Sequence, residues 1–332
     1  MAIQTKPIPA LYTVYILRST VRHASLYIGS TPNPPRRLGQ HNGTARGGAA
    51  KTSRNSLRPW QMVGLISGFP SMVAALKFEW ALTNPHLSVH IPSDSRLSRS
   101  TQVKANGQPR RPSKSMVSIL SNVHLLLRVP SFVRWPLKLH FFVPEVYAAW
   151  QKWCATAAVP LRPSLEVVTD FGGAQTSEGE PDDYSAAPLA EESESSDELE
   201  QTKTCGIHAL PLDYEPIKDY VAKARGIFEF EREGDCVVCH RAIKSGEGLH
   251  AVCTNGGCDG VGHLSCWSRH FMPSQGLDNI LPIQGWCPKC HGEIQWSDMM
   301  KELTLRLRGK KEVDKLLKTK KRRAPNKAKA KV

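Results

Sequence analysis

The sequence predicts an α+β chain with two folded regions, a small layer of antiparallel strands and helices first and a cysteine-rich finger later. Three observations lead there. Residues 8–92 alternate β-branched or aromatic runs with helical stretches; residues 171–200 hold ten Asp or Glu and no Lys or Arg; seven of the nine cysteines lie between Cys236 and Cys290. A chain of 332 residues suits two compact domains plus connections at about 100–200 residues each.

The elements follow in order. Leu11 to Leu17 and Leu26 to Ile28 are β-branched and aromatic with a polar stretch between them, the pattern of a hairpin that ends at Gly29. After the turn-forming Thr31 to Pro35, the run Arg36 to Asn42 reads as a short helix with proline in its first turn, stopped by Gly43. A third strand over Met62 to Ser67 leads through Gly68 and Pro70 into an apolar helix from Ser71 to Thr83, closed by Asn84 and Pro85. Strand, strand, helix, strand, helix makes a three-stranded antiparallel sheet covered by helices. Further helices are expected over Ser115 to Val129 and Glu145 to Ala157, with Trp150 and Trp153 as packing residues.

Charge divides the chain. Residues 1–150 carry 19 Lys or Arg against three acids, Glu79, Asp94 and Glu145, a field suited to a polyanion such as nucleic acid. The acidic stretch, poor in apolar residues, reads as a disordered linker. From Lys301 onward there are 14 basic residues against three acids, including the run Lys318, Lys320, Lys321, Arg322 and Arg323. Such a tail serves as a nuclear-import signal, a nonspecific DNA contact, or both, and the expected location is the nucleus. No stretch has the roughly 18 uninterrupted apolar residues of a membrane span, and residues 1–10 lack the layout of a signal peptide, so no membrane partner is expected.

Within residues 1–93 ten Lys or Arg surround a single carboxylate, Glu79, set in the second helix. Phosphodiester hydrolysis with one divalent cation needs at least one hard oxygen ligand, and Glu79 alone in this stretch supplies it. Arg37 and His41 are four residues apart, so they share a helix face on which an arginine fork can hold a phosphate. Arg36 is the adjacent backbone contact. Tyr15 and Tyr27, at strand positions, complete a set of hydrogen-bonding and acid–base groups. Arg46 to Arg54, with Lys51 among glycines, is a basic loop suited to following phosphates; Arg96 to Lys114 adds six basic residues.

These segments resemble the GIY-YIG nucleases. Thr13-Val14-Tyr15 and Tyr27-Ile28-Gly29 match the paired signature in order, with Arg37 and Glu79 following, although Thr13 stands where the family has glycine. Asn33 to Asn42, Pro59-Trp60 and Val73 to Trp80, together with the later finger, are similar to the catalytic subunits of heterodimeric endonucleases that cut flaps, forks and Holliday junctions. That resemblance implies one Mg²⁺ or Mn²⁺ on Glu79, Arg37 stabilising the pentavalent phosphate, and Tyr15 or Tyr27 helping to deprotonate water. It implies that His41 contacts phosphate or orients a tyrosine, that branched DNA is the substrate, and that a scaffold subunit docks on the finger.

The finger contains Cys236 and Cys239, Cys253 and Cys258, His263 and Cys266, and Cys287 and Cys290 at short spacing, which fits two structural tetrahedral zincs. The likeness is to cross-braced RING and PHD fingers, in which the first and third pairs share one ion and the second and fourth the other. His240, His250, His270 and His291 are nearby alternatives. A rival reading makes the chain a RING-type ubiquitin ligase or a chromatin reader with a DNA-binding N-terminal domain, through Val237, Val238 and Trp286. The expected division is a nuclease domain over 8–92, a basic loop and helical extension packed on it over 93–165, an acidic linker over 166–204, the finger over 230–297 and a basic tail over 301–332.

Overall fold

The computed structural model describes residues 6–98, 105–107, 112, 114–172, 205–229, 234–244, 248–275 and 282–318. They form two compact units, residues 9–213 and residues 1–8 with 214–332.

In the first unit β1 (Thr13–Ser19) pairs antiparallel with β2 (Leu26–Thr31), placing Tyr15 opposite Gly29. The other edge of β1 takes β3 (Trp60–Ser67). Ile16 faces Gly64 while Leu17 faces Met62, so Val63 is an extra residue, a β-bulge that lets neighbouring residues of β3 reach both cores. Two helices follow the expected strands: α1 (Pro34–Asn42) after β2 and α2 (Met72–Thr83) after β3. The Ser71 hydroxyl caps α2 by accepting from the Ala74 N–H. Thr13 fits where glycine was expected because its hydroxyl, inside the unit, donates to the Thr31 carbonyl at 3.0 Å.

The three expected antiparallel strands are present, and two more from beyond residue 92 extend the sheet to five in the order β2-β1-β3-β4-β5. Helix α3 (Met116–Leu126) lies between β3 and the added pair; β4 (Lys138–Phe141) runs antiparallel to β3 and β5 (Glu166–Thr169) parallel to β4, joined through α4 (Pro144–Thr156). Lys138 to Phe141 alternate over only four residues, too short a run to announce a strand, and most of β5 is exposed and shows no period. The expected linker boundary at residue 166 is therefore displaced: residues 166–169 belong to the sheet. Beyond it, the Asp170 carboxylate accepts from the Gly172 N–H at 3.2 Å and from the Gly206 N–H at 2.6 Å. The disordered-linker expectation for 173–204 lies outside the described residues.

The central strands β1 and β3 are buried on both faces. On one, Val14, Ile16, Ile28, Val63 and Ile66 meet Phe78 and Ala75 of α2, Leu120 and Val123 of α3, and Trp150 of α4, the last confirming a packing role. Tyr15, Leu17, Met62 and Leu65 form the other face, where Ile207 closes the cluster.

In the second unit three two-stranded ribbons carry the cysteines: β6 (Gly234–Asp235) with β7 (Ala242–Ile243), β8 (His250–Val252) with β9 (Val261–His263), and β10 (Gln284–Trp286) with β11 (Glu293–Gln295). Helix α5 (Lys218–Glu229) precedes them, α6 (Leu264–Phe271) lies among them, and α7 (Trp296–Arg308) and α8 (Lys310–Leu317) follow. Trp267, Phe271, Ile294, Trp296 and Met299 make the small core, and Val221, Leu305 and Val313 tie α5, α7 and α8 together. Residues 301–317 are thus packed helix rather than tail, because Leu303, Leu305 and Val313 are buried and Leu316 and Leu317 pack against the same cluster as Leu305 and Val313. Of the basic run only Lys318 is described. Among the described residues no helix is long and apolar enough to cross a membrane.

Candidate active site and metal centres

Helix α1 is set by local chemistry. Asn33 Oδ1 accepts from the Arg36 N–H, Pro34 and Pro35 fill the first turn where a missing N–H costs nothing, and Gly43 ends it with φ 86°, a left-handed conformation open to glycine. Asn42 then binds the strand edge, its amide donating to the Trp60 carbonyl while its oxygen accepts from the Trp60 N–H. This places the shared face of Arg37 and His41 against the tyrosine side of the sheet.

There they converge on one atom. Arg37 Nε donates to the Tyr15 hydroxyl at 3.1 Å, and the same hydroxyl lies 2.8 Å from His41 Nε2. On the far side of the imidazole, Nδ1 is 2.7 Å from Thr52 Oγ1, whose own proton goes to the Ala49 carbonyl at 2.9 Å. Thr52 therefore accepts from Nδ1–H, which leaves Nε2 bare, so Tyr15 donates to it. The chain of donors runs from Arg37 through Tyr15 and His41 to Thr52. Of the two expected roles for His41, contact with a tyrosine is the geometry observed: the residue is fully buried and both ring nitrogens are committed.

Burial pushes the Tyr15 phenol well above its usual pKa, with the field of Tyr27 adding to it and the Arg37 hydrogen bond opposing. Tyr27, half-buried, is raised by burial and then by the charge of Glu79. Burial works against the charge of Arg37, but its hydrogen bonds to Tyr15 and Tyr27 and their fields outweigh that and leave its pKa raised. His41 falls to about 4 through burial, then the charges of Arg37 and Arg58. Because the native state resists protonating His41 while the unfolded chain protonates near 6.5, the first unit is expected to lose stability as pH drops from about 6.5 to 4, by up to about 3 kcal/mol. Thermal melts of wild type and His41→Gln across that window check it: the mutant curve should be flatter.

Glu79 is half-buried on α2, and its field reaches both tyrosine hydroxyls. The structure thus brings Tyr15, Tyr27, Arg37, His41 and Glu79 into one neighbourhood. A lone hard carboxylate whose charge is felt by two phenols fits a divalent cation that keeps water and phosphate as its other ligands. Gly29 makes the room: a Cβ there would lie 2.5 Å from the Tyr15 hydroxyl oxygen. Gly29→Ala is expected to push Tyr15 off His41, costing about 1–3 kcal/mol in a denaturant melt as overpacking does and lowering any hydrolytic activity with it.

The four cations expected to meet DNA, Arg36, Arg46, Lys51 and Arg54, are all exposed. The loop holding three of them is less free than its glycines suggest, since Thr52 is buried and its carbonyl accepts from the Trp60 indole at 3.3 Å. Arg96, by contrast, spends its guanidinium on the carbonyls of His86, Ser88 and Ile91, so it braces a turn rather than offering a free cation. Arg99, Lys104, Arg110 and Arg111 lie outside the described residues. Sequence reasoning missed Thr52 as the partner of His41 and Arg58, whose Nε donates to the His41 carbonyl at 2.9 Å; neither stands at a spacing that would reveal it.

In the second unit the ligand atoms of Cys236, Cys239, His263 and Cys266 all lie within 4.8 Å of one another, and so do those of Cys253, Cys258, Cys287 and Cys290. The interleaved pairing is the cross-braced one. Cys253 to Cys290 and Cys258 to Cys287 have sulfurs 3.8 Å apart, too far for a disulfide. A tetrahedron with metal–sulfur bonds of about 2.3 Å has edges of about 3.8 Å, so the spacing suits zinc. His263 contributes Nδ1, 3.5 Å from Cys239 Sγ and 3.7 Å from Cys266 Sγ. His240 and His291 are outside both sets, at φ 54° and 56°, as the turn residues directly after Cys239 and Cys290. Lys223, which sequence reasoning did not single out, reaches from α5 to donate to the carbonyls of Cys253, Asn255 and Cys258 at 2.6–2.9 Å.

Comparison with known proteins gives two family matches, the GIY-YIG catalytic domain over residues 11–91 and the C-terminal region of structure-specific endonuclease subunit SLX1 over residues 235–300. The chain is 64% identical to the Chaetomium globosum protein named structure-specific endonuclease subunit SLX1, covering 99% of each chain. It is 61% identical to the Podospora anserina protein of that name, over 100% of this chain and 97% of the relative. For the Neurospora crassa protein, also so named, the identity is 53% over 95% of this chain and 83% of the other.

Proposed function

Since the chain belongs to the SLX1 family of structure-specific endonuclease subunits, we propose that it hydrolyses phosphodiester bonds in branched DNA as the catalytic half of a heterodimer. The substrates we infer are 5′ flaps, forks and Holliday junctions, met in repair and recombination in the nucleus. The convergence of Arg37, Tyr15 and His41 beside Glu79 carries the reading. Neither family match lends weight to the ligase or chromatin-reader alternative.

Glu79 would hold one Mg²⁺ or Mn²⁺, which when bound would supply Lewis-acid stabilisation of charge on the phosphate. Arg37, fixed by Tyr15 and by Gln40 Oε1 at 2.8 Å, stabilises charge as it develops on the phosphate. Tyr15 resists ionising in advance and keeps its proton, which it donates in a hydrogen bond to His41 Nε2. It can therefore receive a proton from water only in concert with passing its own to His41 Nε2. Tyr27, with its ring centroid 5.0 Å from that of His41, supports the site from the more exposed side. Arg36, Arg46, Lys51 and Arg54 engage backbone phosphates, which position DNA without reading sequence.

The eight finger ligands hold two Zn²⁺ as closed structural sites, and the partner subunit docks on this region. The test is incubation of the full chain, alone and with its partner, with labelled flap, four-way junction and plain duplex in Mg²⁺. Branched substrates should be cut and duplex spared; equal cutting of all three, or none, overturns the assignment.

A further inference from the structure

Helix α2 buries Ala74, Ala75, Phe78, Ala81 and Leu82 and leaves another side unpartnered. Met72, Val73, Leu76 and Trp80 are 44–54% exposed. At three to four residues apart they are neighbours on the helix surface, with Leu76 at the centre, four residues from Met72 and Trp80 and three from Val73. Leu76 is also one turn from Glu79, about 5–6 Å between Cβ atoms. The apolar stripe therefore borders Glu79 on the helix surface.

Its surroundings say what covers it. Residues 1–93 contain ten Lys or Arg and one carboxylate, so the ligand drawn to this region is a polyanion. A duplex strand advances about 3.4 Å per nucleotide, so a strand with one phosphate at Glu79 carries its next one or two nucleotides across Leu76 and Trp80. Leucine, valine and methionine gain nothing from a phosphate backbone, and an indole can offer it only its single N–H. They gain from the flat face of a base, which a continuous duplex hides in its stack and a branch point uncovers.

Resting on the nuclease reading, we propose that Leu76 and Trp80, flanked by Met72 and Val73, form a stacking platform for the unstacked base at the branch, and so select branched over continuous DNA. Selection by an exposed base face needs no particular sequence. Discrimination then arises beside the reacting phosphate, independently of the exposed cations.

The test uses the full chain co-purified with its partner subunit, and a 5′ flap carrying 2-aminopurine next to the branch. In Ca²⁺, without turnover, wild type should change the 2-aminopurine fluorescence, whereas Leu76→Ala and Trp80→Ala should lose most of that change and Trp80→Phe keep it. In Mg²⁺ the two alanine variants should cut the flap about tenfold or more slowly, with unaltered melting temperature, since both residues are exposed. Full fluorescence change and cutting in both variants overturn the platform while leaving the nuclease assignment intact. So does a loss of cutting that tracks loss of the co-purifying subunit, which makes the stripe a protein interface. If wild type cuts no branched DNA, the underlying assignment fails instead.

Discussion

Glu79→Gln is expected to lower single-turnover cleavage of a labelled flap by about 10³-fold or more, a barrier increase of roughly 4 kcal/mol. The substitution keeps the size and helix preference of the residue and removes only the charge that would hold the cation. Residues 1–93 contain no other carboxylate to take its place. Arg37→Ala should cost about 10²–10³-fold by removing the donor aimed at the developing charge. The double variant should lose less than the product of the two, because ion and guanidinium act on the same phosphate. DNA binding should survive both, since Arg36, Arg46, Lys51 and Arg54 are separate and exposed. Variants that cut at the wild-type rate would remove Glu79 and Arg37 from the centre.

Stripping metal from the finger should unfold much of the second unit. Its core is a handful of side chains, and four of the eight ligands, Cys236, Cys253, Cys258 and Cys287, are themselves buried within it. Structural zinc contributes about 10–16 kcal/mol of apparent binding energy per site near neutral pH, as much as a whole domain commonly holds in reserve. Chelation, or Cys258→Ser, should therefore abolish amide protection across β8 to β11 and release zinc, two ions per untreated chain. The first unit should keep its own melting transition, because its two clusters draw only on residues 11–210. Loss of metal with undiminished protection of β8 to β11 would make these sites dispensable to the fold.

Much of this was legible in the sequence, for identifiable reasons. The central hairpin advertises itself by β-branched and aromatic runs around a polar stretch, α1 by proline in its first turn and by Gly43, and helix α2 by an apolar run between Ser71 and Asn84-Pro85. The metal ligands could be read because coordination demands particular residue types in close pairs. What escaped notice depends on contacts between distant segments. Strands β4 and β5 are four residues long and take their structure from the neighbour they pair with. Thr52 matters only because its hydroxyl meets an imidazole eleven positions away, and Lys223 because three carbonyls thirty or more residues on surround its ammonium. The basic tail was misjudged where charge outnumbers the apolar residues that anchor α7 and α8.

The two backbone amides gathered by Asp170 alter how the acidic stretch should be regarded. Residues 166–172 and 205–210, on either side of 173–204, belong to the same folded body, with Ile207 seated on its sheet. Closing a loop costs only about 0.6 kcal/mol for each doubling of its length. A cut anywhere between these two flanks should therefore leave both held in one unit, joined by the hydrogen bond from Gly206 to Asp170.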